Sequence, residues 1–99
     1  MNITDYISFF EAKPNAQWLT GGLVDASGRH CAVGFLRSAK INDSCLQDLL
    51  AKRKMPGIVQ LNDDYRNRYG FGDSPKERIV TALRLVSLLE LSSAGRCCG

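Results

Sequence analysis

Apolar residues recur at three- and four-residue intervals over four stretches of the chain, and each recurrence predicts a helix. In the first, from about Thr4 to Lys13, Ile3, Tyr6, Ile7 and Phe10 share one face and Pro14 supplies the stop. From Cys31 to Lys40, Cys31, Ala32, Phe35, Leu36 and Ala39 share another, although Val33 and Gly34 are poor helix formers. A third stretch, roughly Cys45 to Lys54, carries Leu46, Leu49 and Leu50 inward. Ser44 with Gln47 three residues later reads as a capping box at its start, and Met55-Pro56-Gly57 as its end. The last has the clearest punctuation: Ser74 as N-cap, Pro75 at the first helical position and Glu77 returning to the cap. It should run to about Leu91, some 25 Å at 1.5 Å per residue. Its apolar residues cover most of the circumference, leaving Glu77, Thr81, Arg84 and Ser87 as a narrow polar stripe. That pattern predicts a helix enclosed by the others.

Between the first two helices, Gln17 to Val24 is too rich in glycine and β-branched residues to be helical, and Asp25-Ala26-Ser27-Gly28 has the residues of a type I turn. A short hairpin follows, pairing Leu23 and Val24 with Arg29 and His30. A short apolar segment, Ile58 to Leu61, leads into the polar stretch from Asn62 to Asp73. The expected fold is therefore mainly α, or α+β with a minor β-hairpin: four or five helices around a buried C-terminal helix. Residues 1–91 form the domain, and 92–99 a flexible tail.

Composition narrows the class. A chain of 99 residues, 44% of them hydrophobic and 23% charged, has enough apolar side chains for one core but not two. No apolar run approaches the roughly 20 residues of a membrane helix. The first eleven residues lack the basic start of a signal peptide and carry Asp5 and Glu11, so the expected location is cytoplasmic. The net charge of +3 is uneven: residues 1–50 hold four basic and five acidic side chains, residues 51–99 nine and five. A balance this mild does not by itself imply nucleic acid.

The four cysteines, Cys31, Cys45, Cys97 and Cys98, are expected to be reduced thiols. The adjacent pairs His30-Cys31 and Cys97-Cys98 lack the spacing that lets ligands converge on one zinc ion, so no metal is expected. Cys31 is the one candidate nucleophile, since a helix N-terminus would favour its thiolate. Neighbours on a chain point apart, however, which keeps His30 from serving as its base. A small buried cysteine opening a core helix is the simpler reading. Asn62, Asp63 and Asp64 read as capping and turn residues rather than ligands, and Trp18 as a core anchor.

The leading candidate site is Tyr65-Arg66-Asn67-Arg68-Tyr69-Gly70-Phe71, where arginines alternate with aromatics. Tyr65, Arg66, Arg68, Tyr69 and Phe71 are residue types that dominate protein-binding hot spots and that also stack on single-stranded nucleic acid. Lys52, Arg53 and Lys54 precede them in sequence and extend the expected binding surface.

Trp18 with the glycines just after it, the turn ending at Gly28, the run Cys31-Ala-Val-Gly-Phe-Leu36, the Asn62-Asp63 pair and a final helix with Val80 and Leu83 inward together resemble a family of small uncharacterised bacterial and phage domains. The resemblance spans about Trp18 to Val86, with Leu61 where the family tends to carry a bulkier residue. It implies a compact, mainly helical fold and no reaction. The expectation that follows is a non-enzymatic, cofactor-free, cytosolic protein-binding module, in its concrete form a phage-encoded modulator or inhibitor of a host protein complex. A nucleic-acid-binding accessory protein is the alternative, and a cysteine-dependent enzyme the weakest reading.

Overall fold

In a computed structural model, which describes residues 2–92 and the side chains of 2–90, five α-helices carry the fold. They are α1 (Ile3–Glu11), α2 (Ala32–Ser38), α3 (Ser44–Lys52), α4 (Ile58–Asn62) and α5 (Pro75–Ser92), with a 3-10 turn at Asn15–Gln17 after α1. The architecture is mainly helical, and α5 packs against α1, α2 and α4.

Each helix begins and ends for a local reason. Asn2 caps α1 by accepting from the Asp5 N–H while Asp5 returns to the Asn2 N–H, a reciprocal box. The box expected at Ser44 does not form: Asp43 is the N-cap of α3 and makes no side-chain capping bond, and the Gln47 amide oxygen instead accepts from the Ile58 N–H at the start of α4. Both α2 and α3 end in a left-handed residue that is lysine, Lys40 with φ 60° and Lys54 with φ 57°. Ile41 N–H then reaches the Leu36 carbonyl and Met55 N–H the Leu50 carbonyl, with Ile41 and Met55 packed on the core. This is a Schellman end in both cases. It stops α3 before Met55-Pro56-Gly57, and Gly57 serves as the N-cap of α4. The apolar segment from Ile58 is thus itself a short helix, α4, which adds to the four that periodicity predicts. At α5, Ser74 Oγ accepts from the Glu77 N–H as expected, while the Glu77 carboxylate reaches Asp73 N–H rather than Ser74.

The hairpin is reduced to isolated bridges: Val24 pairs antiparallel with His30, and Trp18 parallel with the same residue. Its turn has the expected form, with Gly28 N–H on the Asp25 carbonyl and Gly28 at φ +81°.

The core joins Tyr6, Ile7 and Phe10 of α1 to Trp18, Phe35, Leu36, Leu46, Leu50, Ile58, Leu61, Ile79, Leu83 and Val86. Trp18 is its aromatic centre, 5.7 Å from Phe10 and 4.9 Å from Phe35 between ring centroids, with its indole N–H on the Lys13 carbonyl. Gly34 is where the Leu23 carbonyl approaches α2 so closely that no side chain fits, which accounts for a poor helix former inside that helix. The enclosure expected for all of α5 holds as far as Leu83 and, on one face, Val86, and then fails: Leu85, Leu88 and Leu89 are 40%, 63% and 38% exposed. The helix outruns α1, α2 and α4, which are each nine residues or fewer. Helix α5 continues through Ser92, one residue into the expected tail. The rest of that tail, with Cys97 and Cys98, lies outside the described residues.

Candidate functional site

Three polar side chains, Asn62, Asp64 and Arg78, are buried where α4 meets α5, and together they set the shape of the loop that follows. Asn62 Oδ1 accepts from the Ala32 N–H at the start of α2, and its Nδ2 donates to the Leu19 carbonyl and to Asp63. Asp63 in turn accepts from the Gly21 N–H at 2.9 Å. The Arg78 guanidinium donates from Nε and Nη2 to the Leu61 and Asn62 carbonyls at the end of α4, where the Leu61 carbonyl has otherwise only a long 3.4 Å bond from the Asp64 N–H. Its Nη1 is buried without a protein partner. Burial lowers the Arg78 pKa, while Asp64, Asp63, Asp73 and Glu77 act in the opposite direction. The Asn-Asp-Asp run is thus a structural clamp, as its residue types suggest.

Asp64 fixes the aromatic loop itself. Its two carboxylate oxygens accept from the Arg68 and Tyr69 N–H groups at 2.8 and 3.0 Å. Burial pushes its pKa up, but those two hydrogen bonds and the charges of Arg78 and Arg68 outweigh it, and the carboxyl ends below its ordinary value. Asn67, left-handed at φ 51°, accepts from the Gly72 N–H and closes the loop. From this frame Tyr65 stands 74% exposed and Tyr69 46% exposed, with Arg66 and Arg68 also exposed. The Arg66 guanidinium lies 5.5 Å from the Tyr65 ring centroid. The four side chains, with Gln60, Asp63 and Asp64, line an open cleft of about 300 Å³.

The other expected members part company here. Phe71 is half-buried against the core and anchors the loop rather than reaching solvent. Arg53 pairs with Glu90 at 3.0 Å and donates to the Leu89 carbonyl, so the Lys52-Arg53-Lys54 run sits at the far end of α5. Glu90 is about 18 Å along the helix from Arg78, at 1.5 Å per residue. The structure brings Tyr65, Arg66, Arg68 and Tyr69 together and leaves Lys52, Arg53 and Lys54 apart from them.

Two further features bear on chemistry. Cys31 is buried as the N-cap of α2, its sulfur accepting from the Gly34 N–H at 3.3 Å, and Cys45 is exposed. Among the described residues no group of three or more His, Cys, Asp or Glu side chains could hold a metal ion, and no helix is long and apolar enough to cross a membrane. The exposed aliphatics Leu23, Val24 and Val59 were invisible as a group in the sequence. Val59 lies one helical turn before Asp63, which accepts from the Gly21 N–H.

No family model, curated protein or solved structure matches this chain.

Proposed function

We propose that the protein is a non-enzymatic binding module whose contact surface is the loop carrying Tyr65, Arg66, Arg68 and Tyr69, and that its partner is another protein. The observation that carries the reading is a large aromatic side chain, Tyr65, held three-quarters exposed on a loop whose backbone is fixed by Asp64 and Asn67. A fixed loop loses little conformational entropy on binding, and exposed Tyr and Arg are the side chains that most often dominate interface energetics. Val59, exposed one helical turn before Asp63 of the cleft, favours a protein over nucleic acid, because apolar contact gains nothing from a phosphate backbone. The resemblance to small phage-borne domains gives the proposal its concrete form, a phage-encoded modulator of a host complex in the cytoplasm.

The test is capture of partners from bacterial lysate with and without nuclease, repeated with Arg66→Ala/Tyr69→Ala. A nuclease-resistant partner lost in the double variant, with affinity falling only modestly as salt rises, supports the proposal. Capture abolished by nuclease, with a steep salt slope that falls by about one unit per removed phosphate contact, replaces it with nucleic-acid binding. A variant that keeps its partners refutes the loop as the contact surface.

A further inference from the structure

A second concave surface, sharing no lining residue with the cleft beside Tyr65, lies where the end of α1, the 3-10 turn, the Asp25–Arg29 turn and the end of α2 converge. It encloses about 540 Å³. Lys13, Arg29 and His30 all line it, and no acidic residue does. The Lys13 ammonium lies between the Phe9 and Phe35 rings, 4.6 and 5.6 Å from their centroids, and the His30 imidazole is stacked on Phe35 at 5.2 Å. Neither has a carboxylate partner among the described residues. Arg29 does pair with Asp25, through Nε alone at 2.7 Å. The other Asp25 oxygen is engaged by the Ser27 and Arg29 N–H groups, so this carboxylate is turned toward its own loop. The Gln17 amide and Ser27 hydroxyl add neutral donors on the rim.

Lys13 and His30 face this concavity without a carboxylate partner among the described residues, and Asp25 meets the Arg29 guanidinium through Nε alone, so the remaining donors converge on a space that an anion can fill. We infer that this cleft binds an oxyanion of the phosphate-monoester class. A tetrahedral, multiply charged group offers several acceptors at once to an arginine fork, an ammonium and an imidazole, whereas a single carboxylate offers two. The rim is open, so the phosphate enters while the group it esterifies stays in solvent. The site is independent of the loop proposed as the protein contact.

His30 is the only histidine, so its imidazole C–H resonances report the cleft without ambiguity. The experiment titrates the whole protein at fixed neutral pH with inorganic phosphate, ribose 5-phosphate and acetate, following His30 together with the Gln17 and Ser27 amides. The expected result is saturable shifts with both phosphates and weaker ones with acetate, ribose 5-phosphate against inorganic phosphate showing whether the ester adds affinity. Lys13→Met and Arg29→Gln should each weaken phosphate binding about three- to fivefold, the worth of one exposed charge contact, and Arg66→Ala should leave it unchanged. Shifts that never saturate, or affinities unaltered in both variants, would overturn the site. Acetate binding as tightly as phosphate would overturn the ligand class. The wild-type titration decides even if a variant fails to fold.

Discussion

A Cβ at position 34 would lie 2.1 Å from the Leu23 carbonyl oxygen and 3.3 Å from His30 Cβ. The first atom is backbone, and it is also the acceptor of the Cys31 N–H, so it cannot move aside without losing a hydrogen bond. Gly34→Ala, which in an open helix would stabilise by up to about 1 kcal/mol, should here destabilise by about 1–3 kcal/mol, read as a lower urea midpoint. Asp64 makes a different kind of prediction. Its folded-state pKa is lowered, so its contribution to stability is present above the unfolded value of about 3.9 and disappears as pH falls through the lower folded value. The stability of wild type over Asp64→Asn should be constant around neutrality and shrink on acidification below about pH 4. A gap that persisted at the acid end would show that the asparagine loses its hydrogen bonds by geometry rather than by charge.

Among the helices, the faces of α5 are the sharpest test. Leu83 is 1% exposed, and Leu83→Ala should cost about 2–5 kcal/mol. Arg84 is exposed and pairs with Glu11 at 2.7 Å, a surface bridge whose loss by Arg84→Ala should cost no more than about 1 kcal/mol. Equal losses in urea denaturation would contradict the assigned face. Lys40 offers the opposite sign. It holds a left-handed φ at the end of α2 without the freedom of glycine, so Lys40→Gly should raise stability by about 0.5–1 kcal/mol, the relief of Cβ crowding exceeding the added chain entropy. These helix ends mark the limit of what was legible beforehand. Periodicity located four helices because it reflects burial directly, and Ser74-Pro75 placed the start of α5. It could not place the ends of α2 and α3, since lysine in a left-handed turn has no signature in sequence. Helix α4 was hidden for another reason: five residues hold barely one turn of period, and its formation depends on Gln47 and Arg78, which arrive from other helices. In the candidate loop the alternation of Arg with Tyr was readable. That Phe71 turns inward and that Lys52-Arg53-Lys54 lies at the other end of α5 depends on tertiary packing alone.

Across the whole molecule, Asn62 and Arg78 form the junction through which three helices and the Leu19–Gly21 segment are held in register. Each is nearly inaccessible, at 0% and 1% exposed, so removing either leaves buried backbone groups unpaired. Asn62→Ala orphans the Ala32 N–H and the Leu19 carbonyl, and Arg78→Met orphans the Asn62 carbonyl and leaves the Leu61 carbonyl only its long backbone contact from the Asp64 N–H at 3.4 Å; each unpaired group costs about 1–3 kcal/mol. Because both side chains grip the same end of α4, the first substitution should loosen what the second would have broken. The double variant should therefore lose less than the sum of the singles by at least about 0.5 kcal/mol, measured by urea denaturation of all four proteins. Additive losses would mean that the α2 contact and the α5 contact are independent, and that no shared junction exists. The same junction feeds directly into Asp64 and the loop behind it. Arg78→Met should consequently weaken partner binding together with stability, whereas Arg66→Ala/Tyr69→Ala should remove binding while leaving the urea midpoint nearly unchanged. A variant at Arg78 that melted early yet bound normally at low temperature would separate the loop from the core that presents it.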